Sequence, residues 1–113
     1  MVKQGLQKNL LFIIDEADKF GRRPVYEVLM DIFYKKKSAG VSVFRGVAGY
    51  GSDGILHKSK ILDLSASLPL KIEAVDFEKM LNSFMPDVLS IVEKGFIEIS
   101  DTTVLKCCQR KDN

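Results

Sequence analysis

Residues 10–20, LLFIIDEADKF, begin with an unbroken apolar run and end in an acidic turn. The run predicts a β-strand over residues 9–15 that is covered on both sides, because polar residues bound it and apolar residues fill it. Neighbouring strand residues point to opposite faces of a sheet. Large apolar side chains therefore lie on both faces of this strand, with Leu10, Phe12 and Ile14 on one and Leu11 and Ile13 on the other.

The rest of the chain is predicted to form two helices and three further strands. Pro24 suits a helix start, and apolar residues then recur at three-and-four spacing until Gly40 ends the helix. A second helical stripe runs from Phe77 to Gly95 straight through Pro86, which indicates one kinked helix or two short helices on one axis. The further strands are expected at residues 41–44, 70–75 and 102–108.

The order β-α-β-β-α-β predicts an α+β ferredoxin-like fold, a four-stranded antiparallel sheet with both helices on one face. Two helices cover only one face, so the second apolar face of the first strand needs another cover. Burial of a Leu or Phe side chain is worth about 1.5 to 3 kcal/mol, which favours packing of sheet against sheet between identical subunits. The alternative is that this strand lies at a partly solvent-exposed edge.

Composition and charge narrow the class of protein. The 113 residues are 46% apolar and 28% charged, which predicts a single domain over residues 1–113. A net charge of +2 is too small to predict a nucleic-acid partner. No apolar stretch approaches the ~20 residues that span a bilayer, and no signal-peptide core is present. We therefore expect a cytoplasmic protein without direct membrane insertion.

The acidic residues Asp15, Glu16 and Asp18 look like the strand end of a nucleic-acid helicase, where carboxylates hold magnesium and orient water against ATP. A P-loop ATPase also needs a G-x-x-x-x-G-K-[ST] loop upstream of that strand. The residues before Asp15 do not spell this loop. The three acids are therefore interpreted as a solvated strand end followed by a turn.

Catalytic and metal sites are not expected from the remaining patterns. The sequence contains a single histidine, His57, but no nucleophile-elbow motif for a hydrolytic triad. The spacing of Glu73 and Glu98 does not set a distance that would make them a catalytic pair. Cys107 and Cys108 are adjacent, which is neither a metal-ligand spacing nor a disulfide framework. Two thiols are expected there, with a vicinal disulfide as the alternative.

A long connection separates the second and third predicted strands. Residues 46–69, GVAGYGSDGILHKSKILDLSASLP, stand where a hairpin needs about two to five residues, and loops of this length are usually functional or mobile. The glycines Gly46, Gly49 and Gly51 allow backbone amides to approach an anion or a flat ring, and Tyr50 offers a stacking surface. A flexible glycine loop without a ligand is the alternative interpretation.

Two stretches, EADKFGRRPVYEVL and GVSVFRGVAGYGSDGILHKSKILDLSASLPLKIEAVD, resemble an uncharacterised family of PII-like bacterial and archaeal proteins. That family has a Lys-x-x-x-x-Pro-Leu-Tyr-Glu turn before the first helix. It also has an Arg-Gly-x-x-Gly-Phe-Gly motif, followed by a histidine and a Leu-Pro. The matching residues here are Lys19, Pro24, Tyr26, Glu27, Arg45, Gly46, Gly49, Tyr50, Gly51, His57, Leu68 and Pro69.

Through that family, the chain is similar to the PII signalling proteins, which are trimers of ferredoxin-like subunits. These proteins bind adenine nucleotides in the clefts between subunits, and their long loop touches a target such as a membrane transporter or an enzyme. The resemblance implies a homotrimeric regulatory module, not an enzyme, that needs no cofactor or metal. Its implied ligand-binding residues are Arg45, Gly46, Gly49, Tyr50, Gly51 and His57.

The resemblance also bears on the ligand. PII proteins hold phosphates with a Thr-Gly-x-Ile-Gly-Asp-Gly-Lys segment, and residues 94–101 read KGFIEISD instead. AMP or ADP is therefore the expected effector rather than Mg-ATP. Arg45 is expected either to contact the ligand or to form a salt bridge across the subunit boundary. Two other functions stay open: an enzyme acting on a small phosphorylated or metal-bound substrate at the same cleft, and a ligand-free scaffolding trimer.

Overall fold

The computed structural model describes residues 4–49, 57–58 and 67–107, with only the backbone of residues 57 and 58. Its elements are β1 Gly5–Asp15, β2 Lys19–Phe20, β3 Arg23–Pro24, α1 Val25–Lys35, β4 Val41–Arg45, β5 Ala48–Gly49, β6 His57–Lys58, β7 Pro69–Asp76, α2 Glu78–Ile91 and β8 Phe96–Val104. Strands β4, β7, β1 and β8 form one antiparallel sheet in that order. This arrangement confirms the predicted ferredoxin-like α+β fold. Neither α1 nor α2 is long and apolar enough to cross a bilayer.

The core lies between the sheet and the two helices. Phe33 of α1 is fully buried at its centre, with its ring edge-on to Phe84 at 4.9 Å and to Phe12 at 6.2 Å between centroids. The apolar stripes of both helices face the same side of β1, as the three-and-four spacing requires. The other buried members of this core are Leu10, Ile14, Val25, Leu29, Leu70, Ile72, Ala74, Leu81, Val88 and Ile91.

The second face of the sheet carries apolar side chains away from the helices. Strand register places Phe44, Lys71, Ile13 and Phe96 in one row across this face. The two aromatic side chains at the ends of the row are 49% and 51% exposed, and Leu11 and Ile13 are half-buried. Because β1 lies between β7 and β8, the alternative that it forms a solvent-exposed edge is wrong.

The final strand begins earlier than the sequence indicated. It was predicted over residues 102–108 from its β-branched residues, but β8 covers Phe96–Val104. Gly95 sets its start, because a side chain there would bring a Cβ to 2.1 Å from the carbonyl oxygen of Ile13. Only glycine allows β8 to come this close to β1, and its φ of +91° is also one that glycine favours.

The helix ends also differ from the prediction. Helix α1 ends at Lys35 rather than continuing to Gly40, because Lys37 adopts a left-handed φ of +57°. The Ser38 N–H then donates to the Phe33 carbonyl, which satisfies a free helix-end acceptor. Helix α2 is one helix with Pro86 inside it, and it ends at Ile91.

Cys107 differs from the expectation of a free thiol. It is half-buried and disulfide-bonded. The one other cysteine in the sequence is its neighbour Cys108, which lies outside the described residues.

Candidate functional site

An ion pair stands at the base of the long connection. Arg45 is the last residue of β4, and Glu16 follows the end of β1. The guanidinium donates from Nε to Glu16 Oε2 at 3.0 Å and from Nη2 to Glu16 Oε1 at 2.8 Å. This two-pronged geometry fixes the two planar groups relative to each other. The Arg45 side chain is nevertheless 57% exposed, against 24% for Glu16, so the guanidinium is open to a ligand.

Glu16 also holds the other end of the connection. The Leu68 N–H donates to Glu16 Oε1 at 2.8 Å, and the Glu16 N–H donates to the Leu68 carbonyl at 3.0 Å. One carboxylate therefore bonds both the residue that precedes the connection and a residue near its end. We call Glu16, Arg45 and Leu68 the loop-root junction.

The charges in the loop-root junction stabilise each other. The hydrogen bond from Arg45 holds the pKa of Glu16 below its ordinary value, and the Leu68 N–H adds to this effect, although burial opposes it. The same hydrogen bond to Glu16 raises the pKa of Arg45. Both groups are thus charged at neutral pH, and their charges cancel.

Two of the predicted ligand-binding glycines pack against Pro69. The Gly46 N–H donates to the Pro69 carbonyl at 2.7 Å. A Cβ at Gly46 would stand 2.9 Å from Pro69 Cγ, and one at Gly49 would stand 3.2 Å from the same atom. Close packing therefore gives both positions a structural reason to be glycine, whether or not a ligand approaches them.

The other predicted site residues are described in part. The short β5–β6 ladder pairs Gly49 with His57 and Ala48 with Lys58, which brings the His57 backbone beside Gly49. Tyr50 and Gly51 lie outside the described residues, as does the side chain of His57. The structure thus brings together Arg45, Gly46, Gly49 and the His57 backbone.

Sequence reasoning missed Glu16 as a site residue. The predicted turn is present, since the Ala17 N–H donates to Asp15 Oδ1 at 2.8 Å and the Asp15 N–H to Asp18 Oδ2 at 3.2 Å. The interpretation of all three acids as solvated is wrong for Glu16, which faces Arg45. Arg45 forms this salt bridge with a residue of its own chain, and a salt bridge of Arg45 across a subunit boundary stays a prediction.

The described part of the chain does not offer a set of metal ligands. Among residues 4–49 and 67–107, no three His, Cys, Asp or Glu side chains cluster in a way that suits a metal ion. The acidic turn of Asp15, Glu16 and Asp18 uses its carboxylates for the loop-root junction and for turn amides instead.

Comparison with known proteins identifies the family. The model of the DUF190 family, described as "Uncharacterized ACR", matches residues 7–104. The chain belongs to the DUF190 family. This DUF190 chain is 34% identical over 100 residues to a UPF0166 protein of Methanocaldococcus jannaschii, with 88% of the chain and 92% of the relative covered. A UPF0166 protein of Aquifex aeolicus is 31% identical over 101 residues, with 88% and 95% covered.

Solved structures confirm that the DUF190 chain has a PII-like fold. It superposes on CPII of Thiomonas intermedia, a nitrogen regulatory PII-like protein bound to ADP, AMP and bicarbonate, with a TM-score of 0.61 and 21% identity. The match covers 90% of this chain and 91% of CPII. A second CPII structure with the same three ligands gives a TM-score of 0.59 at 20% identity, with 90% and 98% covered. The predicted resemblance to an uncharacterised PII-like family is thereby confirmed.

Proposed function

We propose that this protein is a cytoplasmic PII-like regulatory module rather than an enzyme. In this proposal, it forms a homotrimer, binds an adenine nucleotide at clefts between subunits, and signals occupancy to a partner protein through residues 46–69. The partner is a regulated target such as a membrane transporter or an enzyme. The proposed ligand contacts are those named from the sequence, Arg45, Gly46, Gly49, Tyr50, Gly51 and His57.

The loop-root junction is the observation that carries this proposal. Arg45 is exposed enough to meet a ligand, and it is bonded through Glu16 to Leu68 near the far end of the connection. A ligand that contacts Arg45 therefore acts on a group that holds both ends of residues 46–69. Binding at this point would shift the connection between conformations that the partner distinguishes.

The second face of the sheet supports the assembly. Phe44 at one edge and Phe96 at the other are each about half exposed, with Ile13 between them. Water contact with three large apolar side chains on one face is unfavourable, and because each is already partly buried, burial between subunits would recover roughly 1 kcal/mol for each. Sister copies packed on this face would also create the clefts that the proposed ligand occupies.

The proposed effector is AMP or ADP in preference to Mg-ATP, and no cofactor is required. CPII, which shares this fold, is described with ADP and AMP bound. Residues 94–101 depart from the phosphate-holding segment of PII proteins. A site with fewer groups to hold a polyphosphate chain favours nucleotides that carry fewer phosphates.

Calorimetric titration of the purified protein tests the ligand. AMP, ADP and ATP, the last with and without Mg²⁺, should be compared with GMP as the base control. We expect binding of AMP or ADP, and a loss of at least tenfold in affinity in Arg45→Gln. Arg23→Gln is the matched control, because its guanidinium also pairs with a carboxylate, Asp31 Oδ2 at 2.7 Å, but is not part of the junction.

The outcomes separate the functions. Heat from AMP or ADP that disappears in Arg45→Gln and persists in Arg23→Gln supports the regulatory module. Turnover of the nucleotide would support an enzyme instead. A trimer that binds none of these nucleotides would support a scaffold and would refute nucleotide sensing.

Light scattering after size-exclusion chromatography tests the assembly. Phe96→Glu places a charge on the second face and should dissociate the trimer, because the carboxylate would be buried between subunits. Tyr34→Glu is the control, since Tyr34 is exposed on α1, on the helix side of the sheet. A monomeric wild-type protein would refute the trimer.

A further inference from the structure

The Glu16 carboxylate has a consequence for any anion that approaches Arg45. It already occupies Nε and Nη2 of the guanidinium, and its charge cancels that of Arg45. We propose that Glu16 is a specificity-determining residue of the nucleotide site, one that discriminates against ligands with more phosphate charge. This inference rests on the proposed function, because it assumes that the nucleotide binds at Arg45.

The junction keeps the carboxylate in place while a ligand binds. Besides its two hydrogen bonds from Arg45, Glu16 accepts one from the Leu68 N–H at 2.8 Å. Its own N–H is bonded to the Leu68 carbonyl at 3.0 Å. A phosphate that displaced Glu16 from Arg45 would therefore leave the carboxylate on the Leu68 amide, still beside the guanidinium. The ligand meets the negative charge of Glu16 in either case.

The size of the effect follows from distance. An anion on the exposed side of the guanidinium would lie roughly 7 Å from the Glu16 carboxylate, given ordinary hydrogen-bond lengths on both sides of Arg45. At that separation in water of low ionic strength, one carboxylate weakens binding by about twofold for each unit of ligand charge. The penalty thus grows from AMP to ADP to ATP, as each added phosphate adds negative charge.

Glu16→Gln tests this inference, because glutamine keeps one oxygen for the N–H groups of Leu68 and of Arg45 Nη2 while it removes the charge, together with the acceptor for Arg45 Nε. Affinities for AMP, ADP and Mg²⁺-free ATP should be measured by calorimetry at low ionic strength. We expect the ADP-to-AMP affinity ratio to rise by about twofold and the ATP-to-AMP ratio by about fourfold. Added salt should reduce both changes, because it screens exposed charges.

Asp101→Asn is the matched control. It removes the charge of another carboxylate that is paired with a basic residue, Lys8 of β1. Lys8 and Asp15, the last residue of β1, stand seven positions apart, which is about 23 Å along the strand, and Glu16 follows Asp15. The affinity ratios should therefore match those of the wild type. Glu16→Ala provides a second variant in the same direction, since it also removes the carboxylate and should raise the ADP-to-AMP ratio.

The results distinguish this inference from the proposed function. Graded changes in Glu16→Gln, or in Glu16→Ala if the first variant fails to fold by circular dichroism, support a charge filter. Equal changes for AMP, ADP and ATP, or none, overturn the filter while wild-type binding still upholds the nucleotide site. Absence of binding by the wild type overturns both.

Discussion

Gly46→Ala tests why glycine stands at the base of the connection. The new Cβ would lie 2.9 Å from Pro69 Cγ and 3.3 Å from the Pro69 carbonyl oxygen. Carbon atoms in contact prefer about 3.5 to 4.0 Å, so the first pair overlaps by roughly 0.6 Å or more. The strands cannot separate freely, because the Gly46 N–H is bonded to the same carbonyl at 2.7 Å. We expect a loss of about 1 to 3 kcal/mol in the free energy of unfolding, as for other overpacked sites.

Gly40→Ala is the control for this change. A Cβ at Gly40 meets no atom of the described residues within 4 Å, and the backbone there is not left-handed. Alanine at such a position is neutral or stabilises by about 0.4 to 1 kcal/mol, because it restricts the unfolded chain. Urea denaturation followed by far-UV circular dichroism measures both variants at one protomer concentration, which must be fixed for an oligomer.

The comparison separates packing from ligand approach. If packing on Pro69 explains Gly46, the alanine variant is less stable than Gly40→Ala by about 1 kcal/mol or more without any ligand. Equal stability of the two variants, together with weaker nucleotide binding in Gly46→Ala alone, would refute the packing argument. It would then assign the glycine to the ligand.

Three further predictions concern stability. Gly95→Ala should cost about 3 kcal/mol or more, since its Cβ would stand 2.1 Å from the Ile13 carbonyl at a φ of +91°; a loss below about 1 kcal/mol in urea denaturation would contradict the close crossing. Asp76→Ala should cost about 2 to 4 kcal/mol, because the buried carboxylate accepts from the Ala39 N–H at 3.0 Å and from the Phe77 N–H at 2.7 Å, one on each oxygen. Asp76→Asn keeps one of these acceptors and should cost less, and a loss below about 1 kcal/mol in Asp76→Ala by urea denaturation would show that the two bonds contribute little. The folded-state pKa of Glu16 is lowered, so the stabilisation by its carboxylate is present above the ordinary pKa of 4.5 and is lost as the pH falls through the lowered pKa. The free energies of unfolding of wild type and Glu16→Gln should therefore converge at low pH in acid denaturation. A difference between them that stays constant with pH would contradict this stabilisation.

Much of the fold could be predicted from the sequence, because the patterns that indicate its strands and helices are local. The unbroken apolar run over residues 10–14 and the helical stripe after Pro24 each need only a few neighbouring residues to be recognised. Their order then leaves few ways to form one antiparallel sheet. The start of β8 was missed because Gly95 matters through its contact with Ile13, which is distant in sequence.

The candidate site was harder to predict for the same reason. Arg45 and Gly46 were identified through a resemblance, but the partner of Arg45 was not. Register places Asp15 opposite Pro69 and Arg45 opposite Leu70, so Glu16 and Arg45 approach from the two sides of β7. Only the strand order reveals this arrangement, and the acidic turn by itself gives no sign of it. Likewise, the sequence alone does not distinguish a glycine that is needed for packing on Pro69 from a glycine that is needed for close approach of a ligand. The distinction requires the position of Pro69 in the fold.

The ring of Pro69 occupies space next to two missing side chains, at Gly46 and at Gly49. Side-chain sizes at these three positions are therefore coupled through the ring of Pro69. Replacement of the proline by a smaller residue would relieve the contact with Cγ at both glycine positions, whereas the carbonyl of residue 69 would still lie 3.3 Å from a Cβ at position 46. If this contact constrains the family, replacements at the three positions should be correlated among DUF190 sequences.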